Sequence, residues 1–178
     1  MTDSLFSKAS RGQIDQILAH AESYLNAQLT SALAADQRAL VYAGFLAAGV
    51  VALVGGGTTL LIDVKSPFLG YTAFAMALGL TISMALAVYA ARPTGFEFVG
   101  NKPDQWVADV AIGKPLIESL REQAVHYDAM IGSNADLLRD NCRWLTRAQW
   151  LSVATLVFGG SAIVSRFVVR DLALSFWC

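Results

Sequence analysis

The chain has 178 residues, of which 55% are hydrophobic and 15% charged, with a formal net charge of −1. A soluble domain carries about 25% charged residues, so this composition fits poorly with water as the only solvent. The near-neutral charge excludes the basic stripe that a nucleic-acid partner requires, and the length fits one folding unit with no Pro-, Gly- or Ser-rich linker.

The first residues, Met1–Arg11, are polar and lack an apolar core, so no cleavable signal peptide is expected and the first spanning segment itself directs insertion. Ile14, Leu18, Ala21, Leu25 and Leu29 then recur at three- and four-residue steps, leaving Asp15, Glu22 and Asn26 elsewhere on the surface. That period predicts an amphipathic helix over 10–39, with no stop before the apolar stretch that begins at Leu40.

Leu40–Ile62 is the first of three stretches without a charged side chain; Phe68–Ala91 and Ala148–Ser165 are the others. As helices the first two reach roughly 34–36 Å and the third about 27 Å, against a hydrocarbon core of about 30 Å. The predicted fold class is all-α: an integral membrane protein with three transmembrane helices and two cytoplasmic amphipathic helices continuous with the first and third spans. The length of the third stretch also admits a helix lying at the interface.

Charge sets the orientation. Lys8, Arg11 and Arg38 precede the first span, and Arg92, Lys102, Lys114, Arg121, Arg139, Arg143 and Arg147 lie between the second and third. Only Lys65, Arg166 and Arg170 fall on the other side, so ten of thirteen positive residues share one side, which the positive-inside rule makes cytoplasmic. The expected orientation puts the amino terminus and 92–147 on the cytoplasmic side of the membrane, and 63–67 and the tail 166–178 outside.

Spanning helices associate through small residues and polar contacts, because lipid is as apolar as leucine. Gly44, Ala48, Ala52 and Gly56 form one four-residue ladder; Ala75, Gly79, Ser83, Ala87 and Ala91 form another. They predict an antiparallel hairpin zipped along these residues, with Ser66 capping the second helix and Pro67 in its first turn. Alanine and glycine are also simply common in such helices. The triplet Gly55–Gly57 predicts a kink or a close crossing, with a gating hinge as the functional reading.

Between Arg92 and Lys114 the periodicity disappears. Pro, Gly, Phe and Trp here are ordinary turn formers and interfacial anchors. The alternative is a binding element in which Phe96, Phe98 and Trp106 stack on a planar base while Asn101 and Lys102 address a phosphate or ribose; no phosphate-loop fingerprint accompanies them. Beyond Pro115, the residues Ile117, Leu120, Ala124, Tyr127, Ile131, Leu138 and Leu145 mark a second amphipathic helix leading into the third span; Gly132, Ser133 and Asn134 could bend it, yet the stripe resumes in phase beyond them.

Catalysis has little to stand on. His20 and His126 fall on different helices, and Glu122 and Asp128 beside the second read as a solvated surface pair. Cys142 and Cys178 fall on opposite sides of the membrane, which excludes a disulfide within the chain, and no Cys or His spacing fits a metal. No ionisable group lies inside a span, against the usual pattern of a proton relay. No enzyme activity, metal or cofactor is expected.

The run Ala34-Ala35-Asp36-Gln37-Arg38-Ala39 before the first span, the tight hairpin, the Arg92-Pro93 exit and the helical return to a last span resemble small bacterial membrane effectors of nucleotide-signalled antiphage defence. These are the Pycsar-type transmembrane effectors and the SLATT-like proteins. Those families have an Asp-x-Lys-Ala-like lead-in to their first span; arginine takes the lysine position here. The resemblance implies a homo-oligomer that impairs the inner membrane after sensing a cyclic nucleotide. The residues by themselves equally admit an accessory or assembly subunit of a larger membrane complex.

Overall fold

The computed structural model describes residues 6–64, 66–93, 95–100 and 102–175, excepting the side chains of 105 and 169–175. Every regular element among them is helical. α1 is Arg11–Ile62, α2 is Pro67–Ala90, a 3₁₀ turn covers Pro103–Trp106, α3 is Val107–Ala111 and α4 is Leu116–Ser175. α1, α2 and α4 are each long and apolar enough to cross a membrane. Asn101, Lys65 and Cys178, to which the sequence assigns roles, lie outside the described residues; Cys142 is a free, exposed thiol.

The chain forms two compact units, one of Met1–Ala34 with Pro93–Asp140 and one of Ala35–Arg92 with Asn141–Cys178. In the first, the polar unit, the stripes of α1 and α4 bury each other: Ile14, Leu18 and Leu25 pack on Ala124, Tyr127 and Met130. Three-and-four spacing keeps each set on one helical face, and burial against the opposite set is what fixes the pair. Among the described residues, four polar ones are buried in this unit, Gln28, Ser119, Gln123 and Asn134. α4 runs unbroken through Gly132–Asn134, in keeping with a stripe that resumes in phase, and Asn134 is a core residue.

In the second, the apolar unit, α1 and α2 form an antiparallel hairpin. Ala43 clusters with Ala87, a Cβ on Gly49 would sit 3.3 Å from Leu80, and one on Gly57 would sit 3.2 Å from that of Ala73. Leu61 closes on Gly70 at the hairpin end. α4 joins through Thr155, 2.5 Å from where a Cβ on Gly79 would stand, and through Gly159 beneath Met76. Tyr42 of α1 hydrogen-bonds Ser152 of α4. The Ser152 hydroxyl already donates to the Gln149 carbonyl at 2.8 Å, so Tyr42 is the donor.

The seam is therefore not the ladder read from the sequence. Gly44, Ala48, Ala52 and Gly56 are all exposed, and nothing approaches a Cβ built on Gly44 or Gly56 within 4 Å. Four residues overshoot a helical turn by about 40°, so a strict ladder winds across the surface. The second ladder displays this drift: Ala75 is exposed, Gly79 half-buried, Ser83 and Ala87 buried. The buried face of α2 steps by threes and fours, through Gly70, Ala73, Ala77, Leu80, Ser83, Ala87 and Ala90.

The remaining expectations resolve locally. α1 continues through Gly55–Gly57 as helix; Gly57 is the close approach, and Thr58 and Thr59 donate back to the carbonyls of Val54 and Gly55. Pro67 does open α2, while Ser66 at the cap position makes no side-chain capping bond; its carbonyl accepts the Gly70 N–H instead. α4 extends as helix to Ser175, past the end expected at 165, and the Arg166 guanidinium lies 5.7 Å from the Phe68 ring centroid.

Candidate functional site

The region without periodicity is held on the polar unit by side chains from both long helices. Residues 95–98 adopt no regular structure, and among the described residues no strand lies beside them to satisfy their backbone. Asn134 supplies what a strand would. Its Oδ1 accepts the Glu97 N–H at 3.0 Å and its Nδ2 donates to the Glu97 carbonyl at 3.1 Å. The same Nδ2 reaches Gln28 Oε1 at 3.4 Å, and Gln28 Nε2 donates to the Ile131 carbonyl at 3.1 Å. A second grip lies nearby: the Gly100 N–H donates to the Tyr127 hydroxyl, which donates to Glu22 Oε1, both at 3.3 Å. Most buried polar groups in proteins are hydrogen-bonded, and here the bonding fixes a strap, 95–100, along α4.

A third anchor holds α3. This helix ends on Gly113, whose φ of +67° lets the Gly113 N–H reach the Val110 carbonyl and the Lys114 N–H reach that of Asp109. This is a Schellman closure, with glycine at the one position that demands a left-handed backbone. It carries Lys114 between two carboxylates, Asp109 at 3.5 Å and Glu122 at 2.6 Å, while Ser119 donates to Asp109 at 2.6 Å. The Ser119 hydrogen bond, followed by the Lys114 charge, holds the Asp109 carboxyl below its usual range. The Glu122 contact leads in holding the Lys114 ammonium above its own. α3 thus turns its polar side to α4 and leaves Val107, Val110 and Ile112 exposed; none of its residues is buried.

The ligand-binding set read from the sequence is divided by this arrangement. Phe98 and Lys102 are exposed, Phe96 and Trp106 are half-buried, and Asn101 is outside the described residues. Of the residues that organise the segment, the sequence puts Tyr127 in a stripe, Glu22 on the surface and Asn134 beside Gly132, and it assigns no role to Gln28. A signal existed for two of them: Asn134 follows Tyr127 by seven residues and Gln28 follows Leu25 by three, so both stand where the stripes require apolar side chains.

His20 and His126 are exposed, Glu122 is engaged by Lys114, and among the described residues no group of three His, Cys, Asp or Glu comes together. Two grooves flank Phe6: one of about 610 Å³ reaching Lys8 and His20, and one of about 480 Å³ reaching Arg121 and Glu118. Arg121 donates through Nη2 to the Ala9 carbonyl at 2.8 Å, which ties the start of the polar unit to α4.

Comparison of the chain with protein families, with curated proteins and with solved structures finds no match.

Proposed function

We propose that this chain is a non-enzymatic protein of the bacterial inner membrane, its amino terminus and polar unit cytoplasmic and its carboxyl terminus outside, that assembles through its helices and perturbs the bilayer in response to a nucleotide signal. One observation carries the reading. Only 11% of the most apolar stretch of α1, and 11% of that of α4, is buried within the chain, against 39% for α2. Few residues of these two spans are fully buried, so much of their surface is left to lipid or to neighbouring helices, while the polar unit has a core of its own.

The exposed ladder Gly44, Ala48, Ala52 and Gly56 supports assembly, since small residues left open on a span allow close approach by another helix. The Asp36-Gln37-Arg38 lead-in and the Arg92-Pro93 exit support the likeness to the antiphage effectors. The strap supports a sensing role: it follows α2 in the chain, and its Phe98 and the nearby Lys102 are exposed for stacking and for phosphate.

The test is ion leakage from liposomes containing the purified protein, with and without cyclic mono- and dinucleotides, beside growth and membrane potential on induction. Leakage or depolarisation that rises with one nucleotide supports the proposal. Tight liposomes and normal growth under every condition exclude it. The open ladder also favours a second reading, an accessory subunit docked to a larger complex; co-purification of a defined heterologous membrane partner at fixed stoichiometry would establish that instead.

A further inference from the structure

In the apolar unit a groove of about 430 Å³ runs between α1 and α4, lined by Gln37, Arg38, Val41, Tyr42, Phe45 and Gln149. Its lining changes character along α1. The polar end, Gln37 and Arg38, lies just before the charge-free stretch that begins at Leu40, and Phe45 stands about 12 Å further along the axis. Gln149 faces the polar end, because it precedes Ser152 by one turn as Arg38 precedes Tyr42, and Tyr42 and Ser152 are bonded to each other. That bond fixes the two walls.

Arg38 makes no ion pair or hydrogen bond among the described residues. Asp36 is two positions away and so does not share its face. The lining holds one cation, two amides and no carboxylate. Val41 and Phe45 are 54% and 72% exposed, which continues the groove onto the surface of the span. Trp150, 71% exposed beside Gln149, is the kind of side chain that sits at headgroup level.

We propose that this groove binds an anionic phospholipid of the adjoining leaflet, with the phosphate diester on Arg38, Gln37 and Gln149 and an acyl chain along Val41 and Phe45. A guanidinium with flanking amides matches the oxygens of a phosphate. A soluble phosphate gains nothing from the aromatic half of the groove, and a zwitterionic headgroup brings a cation for which the lining has no partner. Basic grooves between spans on the cytoplasmic side are a known form of lipid recognition. The site is independent of whether the protein disrupts membranes.

The experiment is native mass spectrometry of the detergent-purified chain titrated with dioleoylphosphatidylglycerol or dioleoylphosphatidylcholine, with glycerol phosphate as a soluble competitor. Arg38→Gln is expected to weaken phosphatidylglycerol retention roughly five-fold, as loss of one interfacial arginine implies, while Arg139→Gln, the same charge loss in the polar unit, leaves it unchanged. Arg38 is exposed, so its replacement spares the fold, and Gln149→Leu repeats the test from the other wall. Equal retention by the wild type and both groove variants overturns the proposal. So does equal retention of the two lipids, or displacement of lipid by millimolar glycerol phosphate, which would make the site one for free anions.

Discussion

Asn134 grips Glu97 by both backbone groups, accepting from its N–H at 3.0 Å and donating to its carbonyl at 3.1 Å, while fully buried itself. A side-chain amide has the same donor and acceptor as a peptide unit, so one residue of α4 replaces a whole strand as partner for the strap. Replacing it with leucine leaves the Glu97 groups and Gln28 without their partner. The expected cost is about 2–4 kcal/mol, read as a lower melting temperature, together with faster hydrogen exchange at the Glu97 amide. If the Glu97 amide exchanges in Asn134→Leu as it does in the wild type, the strap is held by something other than Asn134.

Two hydroxyls in the apolar unit predict opposite outcomes. Ser83 is fully buried in α2 and its Oγ has no hydrogen-bond partner, whereas Tyr42 donates to Ser152. An unpartnered buried hydroxyl is a cost, so Ser83→Ala is expected to raise stability by about 1 kcal/mol. Tyr42→Phe removes a made bond between helices and is expected to lower it by roughly 0.6 kcal/mol. Melting temperatures of the two variants in one detergent check the signs; a loss in Ser83→Ala would mean that this hydroxyl is bonded.

Gly79 and Ala52 belong to parallel ladders but have different surroundings. A side chain on Gly79 meets Thr155 of α4 at 2.5 Å, whereas Ala52 is exposed. Gly79→Leu is expected to destabilise the chain by about 1–3 kcal/mol through overpacking, and Ala52→Leu to leave the isolated chain within about 0.5 kcal/mol. Sedimentation of the detergent-solubilised variants adds the second readout. Should Ala52→Leu preserve the melting temperature while reducing oligomer mass, the exposed ladder is a contact between copies. A large stability loss in Ala52→Leu would contradict the placement of that face.

Absence of charge over 40–62 and 68–91 locates α1 and α2 to within a few residues at their hairpin ends, because both apolar stretches stop at the short polar link between them. The polar unit's core was equally readable at Ile14, Leu25, Ala124 and Tyr127, where a 3.6-residue period aligns apolar side chains. Its decisive residues were not. Asn134 and Gln28 interrupt the stripes chemically while keeping their phase, and neither amide shows in the sequence which partner it bonds. The seam was missed for a geometric reason, since residues spaced strictly by four share a neighbourhood over two turns and lose it over four. Which half of the ligand set faces outward depended on the strap's anchors, which the strap's own sequence does not contain.

The Asp109–Lys114–Glu122 cluster gives the polar unit a defined pH response. Asp109 is held below the ordinary 3.8 by Ser119 first and Lys114 after it, so its contribution is complete above that value and is lost as pH falls through the lower, folded one. Lys114 is held above the ordinary 10.5 by Glu122 first, so its contribution is complete below that value and is lost as pH rises through the higher, folded one. Docking of α3, monitored by the fluorescence of the adjacent Trp106, is therefore expected to stay level from about pH 5 to 9 and to fall beyond both ends. Ser119→Ala lets the Asp109 value return toward 3.8, which shrinks the difference from the unfolded chain and flattens the acid limb while leaving the alkaline limb in place. Lys114→Met removes the alkaline limb. An acid limb as steep in Ser119→Ala as in the wild type would show that a carboxylate other than Asp109 governs it.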